Sequence, residues 1–456
     1  MKNVYKTITS LVIIILATST YVHAEENNER NSYYYILVDR FQNSNEVSEE
    51  GIDRDDAEGF HGGDFLGIAE RIDHIDNLGI SHVILSPIFD SESYTGERVQ
   101  SLDEIQPTYG DETDLQEVVT QLNDSDMNAV LQIPLGKMAE QVDWSTQENQ
   151  EYLIERLRYL SEEIGVTGFY FEDINSLSDS FWETLSQELD SFMIGSLSDE
   201  EANVENMLEV GFDRVLHPNF HEDAQSIFYD IETDVTPLLD DLTYNREVVH
   251  YMDHYDTDRF TRAMEESGLH PITRWKIALT YLYMSPNEPW LYQGDEIPMD
   301  GVQEDLSHHQ TMNFLSGDDQ IERHIEKLAS VEESFEAVER GETTILYNEN
   351  NMLVFEHVLG EERVITAINN SPTLQRYDME HLEEGLELRG FIENDLIREE
   401  EDGTYAIALE RESTNVYAVQ ADQGINWALT LIFGGVMGIF VVFAVTMYVK
   451  NRRNMY

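Results

Sequence analysis

From Tyr33 onward, short apolar runs alternate with amphipathic stretches. Tyr33–Phe41 (YYYILVDRF), His82–Pro87 (HVILSP), Ala129–Pro134 (AVLQIP), Gly168–Glu172, Ser191–Gly195, Phe212–Leu216, Val248–Met252 and Trp290–Tyr292 each read as a strand. Between them, Ile68–Leu78, Leu115–Leu122 and Tyr152–Glu163 carry apolar residues at helical spacing. Gly79 and Gly165 stand where two of these helices would end. Eight such units predict an α/β architecture, a closed (β/α)8 TIM barrel over residues 33–325.

After about residue 325 the period shortens to two. Thr343–Tyr347, Met352–His357, Arg363–Asn369, Thr404–Leu409 and Asn415–Val419 predict a small antiparallel β-sandwich domain over residues 326–420. Trp427–Val449 is uncharged, and a helix of that length crosses about 30 Å of hydrocarbon. Lys450, Arg452 and Arg453 follow it, so a C-terminal transmembrane helix is expected at 427–449, with a cytoplasmic tail at 450–456. Lys2 and Lys6 precede the apolar Ile8–Ala17, and Val22-His23-Ala24 offers a cut site, so residues 1–24 read as a signal peptide. The expected location is the cell membrane, single-pass, with the main body extracellular.

Charge narrows the partners. The chain carries 91 Asp and Glu against 27 Lys and Arg, a formal net charge of −64. Nucleic acid and anionic membrane surfaces are poor partners for such a surface. A basic protein partner at the cell surface remains open, as does mere solubility. The absence of cysteine excludes disulfides and thiolate metal sites.

In a barrel, chemistry gathers at the C-terminal ends of the strands. Read in order, those ends give Val38-Asp39-Arg40-Phe41, His61-Gly62-Gly63-Asp64-Phe65-Leu66-Gly67-Ile68, Leu78-Gly79-Ile80, Leu85-Ser86-Pro87-Ile88 and Pro289-Trp290-Leu291-Tyr292-Gln293-Gly294-Asp295-Glu296. In this order and spacing they resemble the α-amylase family, glycoside hydrolase family 13. The resemblance implies a retaining mechanism on α-glucosidic bonds, in which two carboxyl groups about 5–5.5 Å apart flank the scissile bond. It also implies a third carboxylate, and places the three after strands four, five and seven.

The chain departs from that pattern at each place. Gly168-Phe169-Tyr170-Phe171-Glu172-Asp173 stands where G-F-R-x-D is expected, so Glu172 takes the nucleophile's position and Tyr170 the arginine's. Met193-Ile194-Gly195-Ser196 ends in serine at the general acid's position; Asp199, Glu200 and Glu201 follow as possible substitutes. Tyr251-Met252-Asp253-His254-Tyr255-Asp256 retains Asp256 as the transition-state stabiliser. Tyr255 displaces a sugar-binding histidine there, and strand alternation is expected to turn His254 and Asp173 away from the site. Gly136 and Lys137 replace the family's calcium-binding asparagine and another sugar-binding histidine. The family calcium site is therefore expected to be lost, with no metal or other cofactor implied. The short stretch between strands three and four leaves no room for the domain the family inserts there.

Tyr94, Tyr170 and Tyr255 are candidates for stacking on glucose rings, or else for filling an emptied cleft. The expectation is an α-amylase-like protein of carbohydrate metabolism or glucan binding, with α-glucan or maltooligosaccharide as ligand and with catalysis impaired or absent, a pseudoenzyme. The alternatives are an active retaining hydrolase or transglycosylase using Glu172 and Asp256, and a surface docking protein without sugar binding.

Overall fold

The computed structural model describes residues 30–453, except 48–49, 97, 100, 140, 199–202, 217, 232, 243–246, 317–318, 381, 423 and 425–426. The expected signal peptide lies outside the described residues. Eight parallel strands close into a barrel in sequence order: β1 Tyr33–Ile36, β2 His82–Leu85, β3 Asn128–Ile133, β4 Gly168–Phe171, β5 Phe192–Ser196, β6 Arg214–Leu216, β7 Val248–Tyr251 and β8 Glu288–Tyr292. β1 pairs with both β2 and β8, which completes the closure.

Alternation along each strand separates two cores. Tyr34, Ile36, Phe169, Phe171 and Leu291 face outward into the large cluster shared with the helices. Tyr33, Tyr35, Tyr170, Tyr251, Trp290 and Tyr292 face inward and fill the barrel with rings. Near the start of the strands Glu288 is buried, accepting from Tyr33 Oη (2.5 Å) and paired with Arg214 Nε (2.7 Å). Higher up, Tyr35 Oη donates to Gln132 Oε1 (2.6 Å), so the plug is polar as well as aromatic.

Several elements are shorter or more broken than their sequence pattern. The first strand stops at Ile36, and Val38–Phe41 makes a helical turn. The amphipathic run at 68–78 divides into helices Phe65–Ala69 and Ile72–Asn77 before Gly79 turns left-handed at φ 71°. Helix Gln147–Tyr159 ends in a π-turn, Leu160–Ile164, closed by left-handed Gly165. Between β3 and β4, among the described residues, there are this helix, its π-turn, a short helical turn at Leu135–Met138 and their loops.

Helix Gln320–Ser334 leads from the barrel into the second domain, crossing position 325. That domain has a six-stranded antiparallel sheet in the order β14-β13-β16-β11-β10-β9. The strands are β9 Glu342–Glu349, β10 Met352–Leu359, β11 Glu362–Asn369, β13 Leu386–Gly390, β14 Leu396–Arg398 and β16 Ser413–Ala421. A two-stranded sheet, β12 Gln375–Met379 with β15 Tyr405–Leu409, shares a core with it, including Val354, Ile365, Leu388, Met379 and Ile407. Buried Arg274 joins the two domains: Nε donates to the Phe228 carbonyl (2.6 Å) and Nη2 bonds Asn370.

The C-terminal run is corrected by the structure. It forms one helix, Trp427–Arg453, but among the described residues no helix is long and apolar enough to cross a membrane. The expected transmembrane helix is overturned, and with it the single-pass localisation with an extracellular body and cytoplasmic tail.

Candidate active site

Three sequence-predicted residues arrive at the C-terminal mouth of the barrel. Glu172 is the first residue beyond β4, Ser196 the last of β5, and Asp256 lies in the loop after β7. Tyr255, from that same loop, reaches across and donates its hydroxyl to Glu172 Oε2 (2.8 Å).

Strand alternation misplaces His254. β7 ends at Tyr251, so residues 252–256 are loop and no longer obey the two-residue period. His254 is buried, bonded to Asp256 through Nδ1 and to the Tyr170 hydroxyl through Nε2 (3.2 Å). Asp173, by contrast, does leave the site. It adopts a left-handed backbone (φ 51°) and accepts the Ser198 hydroxyl.

The two carboxyl groups are driven in opposite directions. Burial raises Glu172 to about 7, and the charge of Asp256 adds to the effect; His254, the Tyr255 hydroxyl and Lys137 only partly oppose it. Desolvation acts to raise Asp256 too, but the charge and hydrogen bond of His254 prevail and hold it at about 2. Burial acts to lower His254, yet the charge and hydrogen bond of Asp256, with the charge of Glu172, raise it. His254 and Asp256 thus form an ion pair beside a carboxyl that shares its proton with solvent near neutral pH.

The three candidate tyrosines are built into the wall. Tyr170 is buried among Tyr35, His254 and Trp290. Tyr255 stacks on Tyr35 (centroids 5.4 Å apart, 13° between planes) and, on another side, near His309. Tyr94 lies under the Arg40 guanidinium, 3.7 Å from its ring centroid, and its hydroxyl meets His309 Nδ1 (2.9 Å). His309 also bonds the Tyr255 carbonyl through Nε2, and burial lowers it to about 3, so it is neutral. Nothing in the sequence marked His309, which lies 53 residues beyond Asp256 on a short 3₁₀ turn, Ser307–His309.

Behind the wall, Arg259 connects the loops after β7 and β8. It is buried, donates to the carbonyls of His308 (3.1 Å) and Gln293 (2.8 Å), and pairs with Asp295 (3.3 Å) and Asp253 (3.6 Å). Asp39 is likewise scaffold, accepting from the backbone N–H groups of His61 (2.9 Å) and Gly62 (3.0 Å). In front of the wall lies a cleft of about 380 Å³ whose lining includes Glu58, Tyr94, Tyr255, Asp256 and Leu306.

The residues at the family's calcium position do not fit that ion. Gly136 offers no side chain, and among the described residues no three His, Cys, Asp or Glu are grouped to hold a metal. Asp199, Glu200 and Glu201 lie outside the described residues.

Comparison with known proteins agrees with this architecture. Residues 35–170 match the model of the α-amylase catalytic domain, and residues 341–417 that of the α-amylase C-terminal domain. The cyclomaltodextrinase of Thermoanaerobacter pseudethanolicus is 22% identical over 405 residues, which is 74% of this chain and 70% of that one. The crystal structure of an Anoxybacillus α-amylase superposes with a TM-score of 0.80 at 27% identity, covering 87% of this chain and 99% of that one. An α-amylase from Geobacillus thermoleovorans, crystallised with acarbose, gives 0.78 at 25% identity with the same coverage.

Proposed function

Because the chain belongs to the α-amylase family, we propose that it binds short α-glucans in the cleft at the barrel mouth without efficient hydrolysis. One observation carries this reading. The strand that should present the general acid ends in Ser196. A serine hydroxyl does not supply a proton to a leaving oxygen near neutral pH. Glu172, at the nucleophile's position, is half protonated near pH 7 and tied to Tyr255, which weakens it as a nucleophile. The acarbose held by the Geobacillus neighbour supports an α-glucan-like ligand.

A second reading has its own support. A carboxyl at about 7 beside one at about 2 is the division of labour that acid catalysis with an ionised partner requires. Glu172 would then be the acid and Asp256 the anion, in a hydrolase built differently from the family's pattern.

Calorimetric titration with maltotriose, beside a product assay on maltooligosaccharides, separates the two. Binding without product is the expected result. Product formation that disappears in both Glu172→Gln and Asp256→Asn would replace it with the second reading. Neither binding nor turnover would leave a docking protein without sugar affinity.

A further inference from the structure

Of the aromatic rings expected to meet a sugar, none offers a free face. Tyr94 and Tyr255 line the cleft but are 3% and 6% exposed, and each is covered by neighbouring side chains. One aliphatic side chain in the lining is only partly buried, that of Leu306. Its backbone is left-handed, φ 60° and ψ 14°. A bulky residue rarely adopts that conformation, because its Cβ crowds the backbone.

The surrounding loop enforces it. Leu306 N–H donates to the Gln303 carbonyl (3.1 Å) and its own carbonyl accepts from His309 N–H (3.1 Å). Val302 N–H donates to Ser307 Oγ (2.9 Å), Gln303 N–H to Asp258 (2.7 Å) and Ser307 N–H to Asp305 (3.0 Å). The Gln303 side chain reaches the Asp256 carbonyl, so the turn that carries Leu306 is bonded directly to the residue that bears the site's ionised carboxylate. Strain held this firmly at a ligand cleft is the kind that serves a contact.

We propose that Leu306 is the specificity-determining contact of the cleft, packing against the C–H face of a neutral pyranose ring whose hydroxyls meet the carboxylates. This rests on the α-glucan reading above and adds which side chain selects the ring. A neutral sugar suits the site because it presents one apolar face and a rim of hydroxyls, and the cleft presents one apolar side chain beside Asp256 and Glu58.

The test titrates maltotriose into the full chain and into Leu306→Ala, Leu306→Gly and Leu306→Met, with thermal melts of each. Loss of the contact should weaken Ala and Gly binding by about tenfold. Met keeps the apolar volume and should bind as the parent does. The glycine variant should melt higher than the alanine variant, since only glycine is at ease at this φ. Parental affinity in the Ala or Gly variant, or a Met variant as weak as Ala, overturns the contact while leaving glucan binding intact. A parent chain that does not bind maltotriose overturns both readings together.

Discussion

Glu172 and Asp256 belong to one network at the barrel mouth, yet burial governs the first and an imidazolium partner the second. For Glu172, the folded value of about 7 exceeds the ordinary 4.5, so between those pH values the folded protein keeps a proton the unfolded chain has released. Stability therefore falls as pH rises through this window, and the full penalty stands above it. Glu172→Gln should match the parent near pH 4.5 and exceed it at pH 8 by about 1–2 kcal/mol in urea denaturation, a figure reduced for solvent in the cleft. No gain at pH 8 would mean the carboxyl is not held protonated. For His254 the raised value comes from Asp256, so stabilisation by the pair is complete below the ordinary 6.5 and is lost as pH rises through the folded value. In Asp256→Asn only burial and the weaker Glu172 charge remain. The His254 ring protons should then titrate below the parental midpoint by NMR; an unchanged midpoint would remove Asp256 as the cause. The positions of Glu172, Ser196 and Asp256 were legible in the sequence because each closes or follows a strand with a recognisable motif. His254 was not, since its orientation depends on β7 ending at Tyr251, one residue earlier than the apolar run suggests. Leu306 was invisible, because a left-handed leucine leaves no mark in residue type.

At the scale of elements, the loops around the mouth are fixed by contacts that tolerate little change. A Cβ on Gly63 would lie 2.0 Å from the Val38 carbonyl oxygen and 2.6 Å from the Asp39 carbonyl carbon, both backbone. This is the physical content of the H-G-G-D stretch: its second glycine lets the chain pass against the end of the first βα unit. Gly63→Ala should therefore destabilise by about 2–4 kcal/mol, measured as a lower urea midpoint. Arg259 is as constrained for a different reason, since removing its charge leaves Asp253 and Asp295 buried together without a cation. Arg259→Ala should cost about 3–5 kcal/mol, and amide exchange at residues 301–309 should quicken. Exchange there at the parental rate would show that the loop does not depend on the arginine. The barrel strands could be read from their apolar runs, because a strand covered by helices on one side and an inner plug on the other is apolar throughout. β12, β13 and β14 escaped notice. Gln375–Met379 and Leu396–Arg398 have mostly exposed or half-exposed side chains, so they lack the buried apolar positions that identified their partners.

Across the whole molecule, charge and hydrophobic length pull the reading of the sequence in different directions. A terminal run without charge suggests a span by its length, whereas among the described residues no helix is long and apolar enough to cross a membrane. The charge imbalance is unambiguous: 91 acidic residues against 27 Lys and Arg. Several arginines are spent inside, in the pairs of Arg40, Arg214, Arg259 and Arg274, and so do little to relieve repulsion among exposed carboxylates. A net charge of −64 on one chain opposes compaction through self-repulsion. The screening length shrinks from about 10 Å at 0.1 M salt to about 3 Å at 1 M, which removes most repulsion between separated surface carboxylates but leaves the buried pairs nearly untouched. The melting temperature should therefore rise steadily as sodium chloride is increased from 0.05 M to 1 M, and equally with potassium chloride, since screening depends on ionic strength and not on the cation. A rise confined to one cation would indicate specific binding instead, and a flat profile would mean that the surface acids are already spaced widely enough for water to compensate them.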